Sequence, residues 1–378
     1  MVSVQTAIIF ISGFTLIALA SKQVGQFFRQ IKLPLITGFL FTGIIAGPYV
    51  LNLVPIEALE NLRFIDEIAL AVIAFAAGNE LFLKDIRDRL KSIAWVTGGL
   101  VLATFSLITF TILALADFIP FMQDMSPSSR IAVAILGGAV LVARSPSSAI
   151  AIVNEMRAKG PFTKTALGVT VIMDVVVILL FGLNSSIADA LLTGLKFNLQ
   201  FIAILLGELI ASLAIAYALF KIMQKLLSST LNRSLKSGLL LLLGYSIFIL
   251  SATIRTQSHV NLPFEILLEP LLIFMIGGFL ITNFSEHKNE FSRILHDISP
   301  TIYILFFTLT GTSLALDILA KTWPIALGLF SVRIFAIFLG SFAGGSIAGD
   351  PSKHSRISWM AYVTQAGIGL GLAKEIAV

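Results

Sequence analysis

A chain of 378 residues that is 57% hydrophobic and only 12% charged is not built to meet water over most of its surface, because soluble domains carry about 25% charged residues. Its formal charge of +5 is no mark of nucleic-acid binding, since the basic residues are explained by where they fall between apolar stretches. With no cysteine there is neither a disulfide nor a thiolate metal site, and the composition is that of an all-α polytopic membrane protein.

Apolar stretches long enough to cross a bilayer, about 20 residues each, follow one another along the whole length. The first has no basic residue before it, and Lys22 comes only at its far end. That order is wrong for a secretory signal peptide and right for a first helix that enters from outside. Spans are predicted at 6–28, 34–51, 63–84, 91–117, 130–155 and 163–183, then at 197–225, 236–256, 262–283, 300–318, 323–349 and 356–378. Short turns carrying Pro, Asn, Asp or Lys separate them. With the amino end outside, 17 Lys and Arg residues fall in inner loops and 5 in outer ones, which is the positive-inside distribution. The chain thus reads as a first half of the membrane domain (1–183), a linker helix region (184–235) and a second half (236–378). Twelve spans bring the carboxyl end outside as well, yet the chain stops at Ala373–Val378 within an apolar helical pattern, without a cap or polar tail. The sequence therefore predicts a truncated chain that lacks at least one further helix.

A charge at the bilayer centre costs about 2.5–3.5 kcal/mol by insertion scales, so each embedded polar group calls for a reason. Asn79 and Glu80 close the third span and either cap it or line a cytoplasmic funnel. In Gly137–Val153, Pro146 removes a backbone donor, while Ser145, Ser147 and Ser148 take up freed backbone groups. With Arg144 beside it, this reads as a broken helix facing a cavity rather than a simple proline kink. Asp174 lies about 16 Å into its helix and is either a proton or cation site or a carboxyl paired permanently with a buried arginine. Thr170 stands one turn before it. Glu208 is a candidate second proton site, or faces a helix interface. Arg333, deep in its own helix, needs an acceptor inside the protein, either a carboxylate or the carbonyl end of a broken helix. Near the end, Thr364, Gln365, Gly367 and Gly369 weaken a second helix at a place corresponding to the first break. Paired interruptions of this kind point to an inverted-repeat transporter with its site where they cross. Gly43–Gly47 and Gly340–Gly344 read as helix-packing pairs. The four histidines make no metal-like cluster.

These features, together with Leu33–Pro48, Phe75–Leu81, Gly160-Pro-Phe-Thr163, Leu305–Gly311 and Thr364–Gly371, resemble the monovalent cation:proton antiporter superfamily, in particular its bacterial sodium/proton and potassium/proton exchangers. The resemblance runs over the whole chain. It implies a thirteen-helix inverted-repeat antiporter fold, with a dimerisation domain and a mobile core of two crossed discontinuous helices, of which this chain holds twelve spans. It also implies a homodimer in the bacterial inner membrane, H+ and Na+ or K+ as transported partners, no cofactor, no enzymatic activity and a missing cytosolic regulatory domain. The family's ion-binding Asp falls on Asp174 and its core basic residue on Arg333; Ser145, Ser147 and Thr170, with backbone carbonyls of the breaks, are candidate further oxygen ligands, since Na+ and K+ prefer hard oxygen donors. Two positions depart from the pattern. Met173 stands where the family has Asn, Asp or Gln before the Asp, so that one carboxylate remains and one-for-one electroneutral exchange is expected. Arg144 stands where the family has a small hydroxyl residue, and either occupies part of the cation site or pairs with Asp174. Two other readings are a subunit of a ligand-gated potassium efflux system and an organic-anion symporter in which Arg144 and Arg333 bind a carboxylate.

Overall fold

The computed structural model describes residues 4–79, 81–144, 146–193, 199–261, 266 and 268–365. Among them every regular element is helical. The α-helices are α1 (Val4–Gln30), α2 (Leu35–Ala46), α3 (Ile56–Asn79), α4 (Leu83–Ala114), α5 (Pro127–Val142), α6 (Pro146–Met156), α7 (Pro161–Thr193), α8 (Leu199–Ser228), α9 (Arg233–Asn261), α10 (Pro270–Phe284), α11 (Lys288–Thr312), α12 (Leu316–Ala348) and the short α13 (Ser352–Ile357). Stretches of α4, α7, α8, α9, α11 and α12 are long and apolar enough to cross a membrane. The chain divides into two compact units, one of residues 1–80, 150–157 and 211–321, the other of 81–149, 158–210 and 322–378.

In the first unit α3 lies against α10 and α11. The ring of Phe75 meets Phe274 at 5.1 Å and Phe291 at 6.0 Å between centroids. Helices α2 and α11 approach so closely that a Cβ on Gly43 would stand 2.1 Å from the carbonyl oxygen of Thr308, and one on Gly311 would stand 2.3 Å from that of Leu40. Only glycine permits such backbone contact, which is how small residues bring membrane helices together. Gly43 is therefore a packing residue, as its spacing suggests. Asn79 also serves packing: its Oδ1 accepts from Thr282 at 3.1 Å and its Nδ2 donates to Ser292 at 3.4 Å. The amino end of α2 carries no side-chain cap of its own. Both carboxylate oxygens of Glu155 accept from the Leu35 amide there, at 3.1 and 3.0 Å.

Helices α2 and α11 end earlier than the expected spans, at Ala46 and Thr312, and three helix starts in this unit also differ from them. Helix α3 begins at Ile56 rather than 63, because Ala58 and Leu62 are buried at 1% and 0% exposure and carry the helix through its charged first turns, where Arg63 and Glu67 pair at 3.0 Å. Helix α10 begins only at Pro270, after an approach that is not helical at Ile266, Leu268 and Glu269. There the Ile266 amide donates to Ser258 Oγ at 2.8 Å, and the Leu268 carbonyl accepts from Ser251 Oγ at 3.1 Å. Helix α11 runs through Pro300 from Lys288 rather than starting at it, since Phe291, Ile294, Leu295 and Ile302 form one buried stripe across the proline. The stripe outweighs the one hydrogen bond that an interior proline removes.

The second unit is built on α4, α5 and α7, which lie against one another. Helix α12 meets α4 at Gly340: a Cβ there would be 2.4 Å from the Gly99 carbonyl oxygen, and one on Gly99 would be 2.3 Å from that of Gly340. Ser126 starts α5 by accepting from the Ser129 amide at 3.2 Å, with Pro127 in the first turn, where its missing N–H costs nothing.

Candidate functional site: the broken helix and its arginines

Helix α5 stops at Val142, Ala143 is extended (φ −54°, ψ 144°), and helix resumes at Pro146. Pro146 suits the start of the second helix, where its missing N–H costs nothing. The break falls where the sequence places it. A helix that ends here leaves carbonyls without intrahelical partners and a partial negative charge at its carboxyl end.

Two arginines take up those carbonyls. Arg144 Nη1 donates to Leu141 O at 3.2 Å and to Ala143 O at 3.1 Å, and its Nη2 donates to Thr104 Oγ1 on α4 at 3.1 Å. Arg333, from α12, donates through Nε to Leu141 O at 3.0 Å, through Nη2 to Ala143 O at 3.1 Å and through Nη1 to Val363 O at 2.7 Å. Gln365 Nε2 adds a bond to Val140 O at 3.2 Å. Arg144 is fully buried and Arg333 is 3% exposed. Two cations so placed would be very costly without compensation. Here the carbonyl ends and the dipole of α5 supply it, each bond to a charged donor contributing about 1.5–3 kcal/mol. Of the two acceptor types expected for Arg333, the carbonyl end of the broken helix is the one found. The hydrogen bonds of Arg144 go to two carbonyls and a hydroxyl, with no carboxylate among them.

Of the second expected interruption, residues 363–365 are described. After α13 and a 3-10 turn over Ser358–Tyr362, residues 363–365 are not helical. Through Arg333 and Gln365 this stretch is fastened to the end of α5 within one unit. Gly367 and Gly369 lie outside the described residues, as do Ser145 and Glu80. Pro146 and Ser147 open the first turn of α6.

Asp174 is the fourteenth residue of α7 and is buried at 6% exposure, about 20 Å from the start of the helix at 1.5 Å per residue. Met173 beside it is fully buried. Thr170, one turn earlier and also buried, donates its hydroxyl to Ala166 O at 2.7 Å, which leaves its oxygen lone pairs available. Glu208, on α8 and partly exposed, takes no part in the bonds just described.

Sequence reasoning missed Thr104, and with it the link from Arg144 to α4. The signal was the seven-residue spacing of Thr97 and Thr104, two turns apart on one face of a long apolar helix. It also missed an ion pair at one end of this unit, Arg89 with Asp350, joined by Ser92 and Thr165.

Helices that cross a membrane, a broken one among them and buried charges at the break, define the class as a polytopic membrane transporter. The family model described as sodium/hydrogen exchanger, transmembrane, matches residues 14–376, and the chain belongs to that family; it is a transporter of cations and protons and not an enzyme. Among solved structures the chain is similar to the sodium proton antiporter MjNhaP1 from Methanocaldococcus jannaschii at pH 8, at 18% identity and a TM-score of 0.68, over 98% of this chain and 86% of that one. It is similar as well to an electron-microscopy map of the same antiporter, at 17% identity and a TM-score of 0.76, over 99% of this chain and 85% of that one. At these identities the likeness is one of fold. Comparison with curated proteins gives no match.

Proposed function

We propose that the protein exchanges one Na+ for one proton by alternating access, with both competing for the carboxylate of Asp174. The observation that carries this reading is that the carbonyl end of the broken helix is already taken by Arg144 and Arg333. A transported cation then finds its compensating negative charge at Asp174, buried in the same unit. Hard oxygen donors complete its shell, namely Ser145 and Ser147 at the break and Thr170 one turn from Asp174. With Met173 in place of a second polar ligand, one carboxylate binds either one proton or one monovalent ion, which supports electroneutral exchange. Sodium rather than potassium is favoured by the likeness to an antiporter named for sodium. The basic residues, richer on the inner side, support an amino end outside. An organic-anion symporter would need Arg144 and Arg333 to hold a substrate carboxylate, and all three nitrogens of Arg333 and both Nη groups of Arg144 are engaged by carbonyls and Thr104 instead, which leaves only Arg144 Nε without a partner among the described residues.

The test is exchange in proteoliposomes carrying an imposed pH gradient. Added Na+ should collapse the gradient with the unsubstituted protein, without dependence on membrane potential, and should leave it standing with Asp174→Asn. Undiminished Na+-driven proton movement by Asp174→Asn would overturn the reading.

A further inference from the structure

We infer that Arg89 and Asp350 are positioning residues for exchange: their ion pair clamps the ends of the elements that carry the site and holds the second break in register. The inference rests on the exchange reading above. Asp350 lies just past α12, after Gly349 at φ +84°, a left-handed turn that glycine favours. Its amide donates to Gly345 O at 2.9 Å, which fixes the carboxylate against the helix it follows. One carboxylate oxygen, Oδ1, accepts from Arg89 Nη2 at 2.5 Å and from Ser92 Oγ at 2.9 Å, both on α4. The same guanidinium donates through Nε to Thr165 Oγ1 at 2.9 Å, and Thr165 in turn donates to Pro161 O at 3.0 Å in the first turn of α7. One side chain thus joins the first turns of α4, the start of α7 and the α12–α13 connection. The pair is well sheltered, with side-chain exposures of 23% for Arg89 and 10% for Asp350, so water and salt screen it less than a surface pair.

Each joined element bears part of the site. Helix α4 bears Thr104, which holds Arg144; α7 bears Asp174; α12 bears Arg333. The chain beyond α13 leads to Tyr362 and Val363. Tyr362 is 1% exposed and forms a wall of the crevice that Arg89, Thr165, Asp350, Ser355 and Ser358 also line. The next residue, Val363, gives its carbonyl to Arg333 at 2.7 Å. The path from clamp to break is therefore Asp350, the crevice wall at Tyr362, and the Val363–Arg333 bond. Ser355 Oγ is buried in the crevice wall with no hydrogen-bond partner among the described residues, while the ion pair and the bonds of Ser92 and Thr165 tie the crevice across α4, α7 and the α12–α13 connection.

The chain has no cysteine, which permits a readout that does not depend on transport. A single reporter, Val363→Cys, is placed in the full chain in proteoliposomes, and its rate of modification by a small thiol reagent is measured with and without Asp350→Asn or Arg89→Gln. Loosening the clamp should speed modification severalfold. In the otherwise unsubstituted protein, Asp350→Asn should raise the half-saturating Na+ concentration about 10-fold, the scale on which partners of ion ligands act, with the maximal rate little changed. Asp350→Glu, which keeps the charge, should restore most of the affinity. If Asp350→Asn does not fold, Ser92→Ala and Thr165→Val remove single bonds and should shift both readouts in the same direction, more weakly. An unchanged modification rate overturns the proposal, and so does a faster rate with unchanged Na+ affinity. Failure of the unsubstituted protein to move protons with Na+ would instead overturn the exchange reading, while the modification rates still decide whether the clamp exists.

Discussion

Arg333 gives three donors to three carbonyls on two segments of chain, and a lysine cannot do the same, because a single ammonium cannot span the fork that a planar guanidinium presents. Arg333→Lys should keep the charge and still lose most exchange, at least about 100-fold if two charge-assisted bonds are lost at 1.5–3 kcal/mol each. Initial rates in proteoliposomes check this, and full activity in Arg333→Lys would show that charge alone suffices. Thr104 is a smaller case. Thr104→Val leaves a buried guanidinium N–H of Arg144 without its acceptor and should cost about 1–3 kcal/mol, read as a lowered thermal unfolding temperature in detergent. Arg333 was legible in the sequence because a charge that deep must find an acceptor, and a broken helix offers carbonyls. That Arg144 shares the same carbonyls was not legible, since pattern alone cannot say whether a guanidinium beside a proline turns towards a carboxylate or back onto its own helix end.

At the scale of elements, breaks and close approaches are set by a few residues. Pro146 makes the first break visible in sequence because its geometry is local. The starts of α3 and α11 were misjudged for the opposite reason. A charged run at 57–67 and a proline at 300 look like loops until the buried stripes that bridge them are seen. The pair Pro263 and Pro270 around the approach to α10 was the available signal for its late start. Two consequences of packing are measurable. Gly340→Ala would drive a methyl group into the Gly99 backbone, 2.4 Å away, and should destabilise the α4–α12 contact by about 1–3 kcal/mol, the usual cost of overpacking. Glu155→Ala removes the only side-chain cap described at the amino end of α2 and should cost about 0.5–2 kcal/mol. Thermal unfolding monitored in detergent checks both, and no shift for Gly340→Ala would contradict the close approach.

For the whole molecule, membrane character was written in composition, at half the charge of a typical soluble domain, about 25%, and the family was written in the order of short motifs along the chain. What composition could not convey is that each compact unit gathers three separate segments drawn from both halves of the sequence. The second unit thereby brings the end of α5, Arg144, Arg333 and the 363–365 stretch together and contains Asp174 as well. The one carboxylate of Asp174 can hold a proton or a monovalent cation but not both, so binding of one must expel the other if they share the site. Proton release on adding Na+ to the purified protein in weakly buffered solution tests this without any need for transport. One proton should be released per Na+ bound, and none should be released by Asp174→Asn. Sodium binding without proton release, or equal release from Asp174→Asn, would contradict the account.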